Sequence, residues 1–582
     1  VDDGELADLA PSLEVARKTG ARYALLGSAV ALGRDLRLTA DIYDVASGKS
    51  LGQAQVEGAP DSVYMLVDRL SIEALKTILG RRAGDLPRVE LARVTTASLP
   101  ALRAYLEGEV LYRKADWPAA IEAYQRAVGA DSTFALAWLR LSESISWLPP
   151  ADRPEGDVVA PAERADHYGD RLPEREAVLV HANRAFIVGS MAMLDPLRSA
   201  TRRYPDDPEL TYLLGEHYAH FGHQLLVDPA ETARTLDRAI ELDPTFAPYY
   251  QHPIEYAFYR GDSARALELL SEFEKLAPGS FEARRYRLGA TLAWGTPGER
   301  AGAMATLSML SEARAAPTYI LVQPRFLEVA LASAEAQRRN GNAIGYVISN
   351  LVAGRLARVE EALSEGQGLP GPGFVTGVLL FMRQRGLPVD PDRLRHAADA
   401  DTLYPNEYFA TLLAAQENRT AVVREELARG RQYQQARLDA GDTLEARQVE
   451  GHIRIVEGYS ALQRGERERA LELLQEGQRQ ATGWDAEGGV NDLVRWSIAE
   501  LLVDLGRDEE AIPYFRSFQT FGIDPYAALE LGKAYERLGR RDEAKDQYET
   551  ALAYWREADP ELAPRIAEAR QHLAGLGFQP RD

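Results

Sequence analysis

The chain reads as a mostly α protein, a solenoid of helical hairpins with a small α/β module at its N-terminus, and three observations predict this. ALRAYLEGEVLYRKADWPAAIEAYQRAVGAD, from Ala101, and YAALELGKAYERLGRRDEAKDQYETALAYW, near the C-terminus, carry small and aromatic residues at the same offsets. Gly108 precedes Ala120 by twelve residues, and Tyr124 and Ala127 follow four and seven later; Gly532, Ala544, Tyr548 and Ala551 repeat those intervals. A fixed period of this kind marks a helical-hairpin array. Second, 582 residues exceed what one hydrophobic core serves, which an open array accommodates. Third, the first eighty residues alternate at strand period instead.

In chain order, Leu9 to Thr19 has a short helix pattern. ARYALLGSAVAL and DLRLTADIYDV then alternate around Gly33-Arg34-Asp35, and Ser47-Gly48-Lys49 turns into a third run, LGQAQVEG. A helix from about Asp61 to Leu79 closes the module. In the repeats, two antiparallel helices must approach closely, so small residues belong where backbones cross. Gly108 and Ala120 are those contact points, and Tyr124 is expected to fill the gap toward the next hairpin. Gly458, Ala470 and Leu474 keep the intervals, as do Ala499, Ala511 and Phe515; Ala266, Leu270 and Pro278 give the second half of another unit. Between Gly215 and Ala239 lie about five extra residues by the repeat intervals, which places an insertion around HFGHQLLVDPAE in the inter-helix turn. From Tyr168 to Arg203 and from Glu282 to Arg437 the signature is degenerate. The resulting division is 1–90, an α/β module; 91–300, a repeat array; 301–440, degenerate repeat-like helices; and 441–582, a C-terminal array.

The small-residue and aromatic pattern resembles the tetratricopeptide repeat, a roughly 34-residue helix-turn-helix unit. ARYALLGS and LTADIYDVASGK, in a helix-strand-strand-strand-helix order, look like the second half of the TolB-like or FlgO-like amino-terminal domain. The resemblance spans about residues 9 to 80, without that domain's first strand and helix; with Val1 at its start, the sequence is expected to be a fragment or processed form. TTASLPALRAYLEGEVLYRKADW, LPEREAVLVHANRAF, RRYPDDPELTYLLGEHYAHFG and AIELDPTFAP resemble the carboxy-terminal region of bacterial membrane-anchored serine/threonine kinases, up to about residue 280. That resemblance implies a signalling protein with an output domain and an anchor upstream, and an extracytoplasmic location (periplasm or cell surface) for this region. A cytoplasmic location is the alternative.

Composition narrows the function. With 67 basic against 88 acidic residues the formal charge is −21, which opposes attraction to phosphate backbones, so no nucleic-acid partner is expected. The absence of cysteine removes disulfides, thiolate metal sites and cysteine nucleophiles. No run approaches the roughly 18 apolar residues of a membrane span. The sequence has no GxxxxGK[ST] or HExxH and no kinase HRD-to-DFG set, so no enzyme activity, catalytic residue or cofactor is expected. Gly366 to Gly373 is glycine-rich, but Pro370 and Pro372 remove donors that a phosphate cradle needs, so it reads as an inter-helix turn. Leu148 to Pro161, with four prolines, reads as a loop, and the sequon Asn418-Arg419-Thr420 as an ordinary helix turn.

His217, His220 and His223 are weak metal candidates: two share a helix face, with Glu216 and Asp228 nearby, but hydrogen-bonding imidazoles on a hairpin edge fit better, and no metal is expected. A stripe of acids is more informative. Glu109, Glu216 and Glu500 follow the small residue of the first helix, and Glu255 follows Ile254 on its own first helix; this face lines the concave surface of such arrays. Tyr105, Tyr112, Tyr212, Phe258, Tyr259, Tyr459, Trp496 and Tyr526 are inner-face aromatics that suit a peptide groove. The competing reading is that each acid pairs with a basic residue of the adjacent hairpin and each aromatic packs within the superhelix. The expected function is a non-catalytic protein-interaction or sensory module that binds a neutral or basic protein or peptide in its groove. The alternative is a structural subunit or scaffold of a surface assembly. The final segment, Pro564 to His572, is polar like a cap, which favours the former.

Overall fold

Strand-period alternation in the first eighty residues builds a three-stranded antiparallel sheet, β1 (Tyr23–Leu32), β2 (Asp35–Asp44) and β3 (Ser50–Gly58), in the order β1-β2-β3. The computed structural model describes residues 9–18, 21–60, 63–79, 96–148, 158–309, 323–339, 341–400, 408–481, 490–519 and 524–578. Leu32 pairs with Asp35, leaving Gly33-Arg34 as a two-residue loop with Gly33 at φ 64°, the positive φ that tight hairpins need. Leu38, Ala40 and Ile42 of β2 pair across with Val56, Ala54 and Gly52 of β3, and that face packs on Leu66 and Ala74 of the helix Val63–Leu79. A first helix, Leu9–Lys18, precedes the sheet. The element order is the expected one; the proposed start of the closing helix at Asp61 lies outside the described residues.

The other described elements are helices, so the fold is mostly α with a small sheet at the N-terminus. The described chain divides into two compact units: Val1–Arg184 with Ser199–Leu210 and Arg238–Phe246, and Ala185–Arg198 with Thr211–Asp237 and Ala247–Asp582.

The glycine-to-alanine spacing has a direct steric cause. A Cβ on Gly108 would lie 2.5 Å from the Tyr124 ring, one on Gly532 2.4 Å from Tyr548, and one on Gly458 2.8 Å from Leu474. Ala120, Ala470 and Ala544 are fully buried. The aromatic four residues after the alanine therefore sits on the glycine of its own hairpin, and Tyr548 also stacks on His572 of the following helix, at 5.3 Å between ring centroids. The insertion is real: helices Pro208–Phe221 and Pro229–Leu242 are joined by residues 222–228. Two other expectations shift. The segment read as a loop to Pro161 is already helical from Val159, because a proline in a first turn lacks only an N–H that would have no helical partner; residues 149–157 of it lie outside the described residues. Gly366, at φ 66°, ends the helix Leu356–Glu365, and the carbonyl of Gly368 accepts from Ala343 N at 2.9 Å, so the glycine-rich run is an inter-helix turn. Asn418, at φ 57°, turns between Tyr408–Gln416 and Thr420–Asp439. No helix among the described residues is long and apolar enough to cross a membrane.

Candidate partner face

The acid stripe meets three different environments. Glu109, on helix Leu99–Tyr112, accepts from the Tyr124 hydroxyl at 2.7 Å and from Arg140 Nε at 3.0 Å. Arg140 also donates to Glu143 at 2.8 Å and to Glu209, and Glu209 and Asp207 in turn bind Arg175 at 2.6 and 2.7 Å. Burial works against the Glu209 carboxylate, yet Arg140 and Arg175 hold it below the usual range; at Glu143 burial wins and the pKa is raised. This is hairpin-to-hairpin stitching. Tyr112 belongs to it, buried with its hydroxyl donating to Glu143 at 3.2 Å, and Tyr105 packs against Phe134 at 4.9 Å between ring centroids.

In the second unit, Glu216 and Glu255 are buried around His252. His252 Nε2 is 3.1 Å from Glu216 Oε1, and its Nδ1 is 3.0 Å from Glu255 Oε2. Tyr286 donates to Glu255 at 2.9 Å. Of the three expected imidazoles only His220 joins this group, its Nε2 3.7 Å from Glu216 Oε2. His217 is fully buried, with Nδ1 donating to the Leu213 carbonyl at 2.8 Å. His223, in the inserted turn, is pushed down to about 3 by burial, with Arg495 close by. The ligand atoms of Glu216, His220 and His252 all lie within 4.8 Å of one another. His252 was absent from the sequence-based set because it enters from the next hairpin, on helix Gln251–Arg260. Tyr212 and Phe258 are buried packing residues, Phe258 stacked on Trp294 at 4.6 Å, while Tyr259 is half-buried.

Tyr459, Trp496 and Tyr526 come from three consecutive first helices, Thr443–Gln463, Val490–Asp504 and Pro525–Arg537. They are buried because the chain's own helix Pro372–Gln384 and the residue after it, Arg385, lie against this face. The guanidinium carbon of Arg385 is 3.4 Å from the Phe381 ring centroid, 3.9 Å from that of Trp496 and 5.3 Å from that of Phe518. Nε and Nη2 of Arg385 donate to Asp524 at 3.0 and 2.7 Å. Gln384 donates to the Leu493 carbonyl and to Ser497 Oγ, both at 2.9 Å, and the Tyr526 hydroxyl donates to the Leu351 carbonyl at 3.3 Å. Beside this cradle Glu500 still reaches solvent while surrounded by protein; burial pushes its carboxyl up to about 7, and Glu530 and Asp504 add repulsion. Neither Arg385 nor Asp524 has a sequence signal of its own, since arginine is ordinarily a surface residue.

The hairpins of this face match known repeats. Models of the tetratricopeptide repeat match residues 455–528 and 526–554. These segments are tetratricopeptide repeats. Similar solved structures include YrrB, described as a TPR protein with an unusual peptide-binding site (18% identity, TM-score 0.17, covering 32% of this chain and 91% of that one). The APC/C hetero-tetramer Cut9-Hcn1 is similar at 13% identity and TM-score 0.28, covering 87% and 86% of the two chains, and the P58(IPK) TPR domain at 16% and 0.20, covering 69% and 99%. No curated protein matches the chain in sequence.

Proposed function

We propose that this chain is a non-catalytic protein-interaction module whose C-terminal repeats, within 441–582, hold a partner segment that presents an arginine among apolar side chains. The supporting observation is the seat of Arg385: the Trp496 ring at 3.9 Å, the Phe518 ring at 5.3 Å and a carboxylate that takes two N–H donors, with Phe381 of the occupying helix itself covering the guanidinium. Cation–π contact of a desolvated guanidinium and a charge-assisted hydrogen bond both favour arginine over other residues. Glu500 lies beside Glu530 and Asp504, and this acidic surround adds attraction for a basic segment, in keeping with the net charge of −21. A partner segment of this kind competes with the chain's own helix for the seat. The resemblance of residues 9 to 280 to kinase-associated regions supports a place in a larger bacterial signalling protein, outside the cytoplasm.

The test is fluorescence anisotropy with a labelled peptide of residues 372–390 and its Arg385→Ala counterpart, added to the Arg385→Ala chain, whose seat is vacated. The arginine peptide is expected to bind at least about tenfold more tightly than the alanine one, an interval of about 1.4 kcal/mol. Equal binding of the two peptides refutes an arginine-selective face.

A further inference from the structure

We propose that Glu216, His220 and His252 form a binding site for a divalent transition-metal ion of the zinc class, with Glu255 positioning His252. Glu216 and His220 stand four residues apart on the helix Pro208–Phe221, hence on one face, and His252 enters from the first turn of the helix Gln251–Arg260. Two imidazoles and a carboxylate are a ligand set that zinc accepts in tetrahedral geometry with one position left open.

The distances fit that use. Metal–ligand bonds of about 2.0–2.1 Å in a tetrahedron place neighbouring ligand atoms about 3.3 Å apart. His252 Nε2 to Glu216 Oε1 is 3.1 Å, His220 Nε2 to Glu216 Oε2 is 3.7 Å, and one ligand atom from each residue falls within a common 4.8 Å. His220 is the most exposed of the three.

The surroundings are those of a metal-binding histidine. His252 Nδ1 faces Glu255 Oε2 at 3.0 Å, so Nδ1 carries the proton and donates it, and Nε2 is directed toward Glu216 and His220. A carboxylate on the far nitrogen fixes the tautomer and ring orientation of ligating imidazoles and raises their basicity. Glu255 is itself held by the Tyr286 hydroxyl at 2.9 Å, with Arg285 at 3.4 Å. The side chains of Glu216, Glu255 and His252 are each less than a tenth exposed, whereas His220 is about a third exposed. The site therefore has a dry floor and one open side for entry and for a fourth ligand. Phe186 packs edge-on against His220 at 5.3 Å and forms part of the apolar wall. Without a metal, a proton on His252 Nε2 answers Glu216; a metal ion takes that proton's place, and the proton leaves to solvent.

The experiment is a titration of the full chain, stripped with chelator and dialysed, with zinc chloride by calorimetry, and with cobalt chloride by visible absorption, which reports tetrahedral nitrogen and oxygen ligation. One equivalent of zinc and a tetrahedral cobalt spectrum are expected. His220→Ala, at a half-buried position, is expected to fold normally by circular dichroism and to lose binding. His217→Ala retains it, and Glu255→Gln weakens it by about 10–100-fold. No stoichiometric zinc in the wild-type chain overturns the site, as does zinc bound equally by a folded His220→Ala variant.

Discussion

Arg140 and Arg385 are both buried guanidiniums, but the chain satisfies them by opposite chemistry. Arg140 sits among the carboxylates of Glu109, Glu143 and Glu209, drawn from three different helices, so its charge ties hairpins together and leaves no surface for an outside group. Arg385 has one carboxylate, Asp524, and otherwise the faces of Phe381, Trp496 and Phe518. Asp524 does not depend on Arg385, because it also accepts from the Tyr526 and Ala527 N–H groups at 2.8 and 3.2 Å as the cap of its helix. The first arrangement is a structural knot. The second is the seat that the proposed function assigns to a partner's arginine, since Asp524 keeps its cap partners without Arg385.

The largest effect that sharpens this contrast is Arg140→Met, which removes the cation that three carboxylates share and leaves only Arg175 on Glu209. It is expected to destabilise its unit by about 3–5 kcal/mol in urea denaturation. Arg385→Met is expected to cost less, about 1–3 kcal/mol, because Asp524 keeps its cap role and methionine still packs on the rings. Equal losses would erase the distinction between knot and seat. Ala544→Leu provides a neutral reference away from both: overpacking against a fully buried crossing should cost about 1–3 kcal/mol without any salt dependence.

A subtler effect concerns pH. In metal-free protein, burial disfavours the His252 imidazolium, but Glu216 and Glu255 outweigh it and raise the pKa to about 10. The raised value means that its stabilisation is fully present below the ordinary histidine pKa of about 6.5 and is lost as pH rises toward 10. Glu216 has the opposite sign: held far below the usual carboxylate range by His252 and His220 against the cost of burial, it stabilises above about 4.5 and gives this up only in strong acid. Thermal midpoints of the metal-free wild type are therefore expected to fall between pH 7 and 10 more steeply than those of His252→Asn. The smallest expected change is at Glu500, whose raised pKa costs stability as pH climbs from about 4.5, the ordinary value, to about 7 and levels off above; Glu500→Gln should raise the midpoint slightly at pH 8 and less at pH 5.

Legibility followed the range of each interaction. The glycine-to-alanine interval was readable because the clash it avoids, Tyr124 on Gly108 or Tyr548 on Gly532, lies within one hairpin and repeats along the chain. The order helix-strand-strand-strand-helix was readable because alternation and turn residues act between neighbours. The acid stripe was found, but its partners were not: Arg140 lies 31 residues from Glu109 and His252 lies 36 from Glu216, distances at which a pairing depends on how hairpins stack. Tyr459, Trp496 and Tyr526 lie on first helices, and nothing in their own spacing announces that the chain itself covers them.

The sequence by itself determined the repeat, the hairpin crossings and the small sheet, because steric exclusion and strand period are local rules written into consecutive residues. Tertiary structure alone decided which charges meet and which face is covered. Arg385 meets Asp524 from 139 residues away, and Glu216, His220 and His252 converge from two hairpins. Such contacts are set by the winding of stacked hairpins, where small rotations per repeat accumulate into the position of a distant side chain.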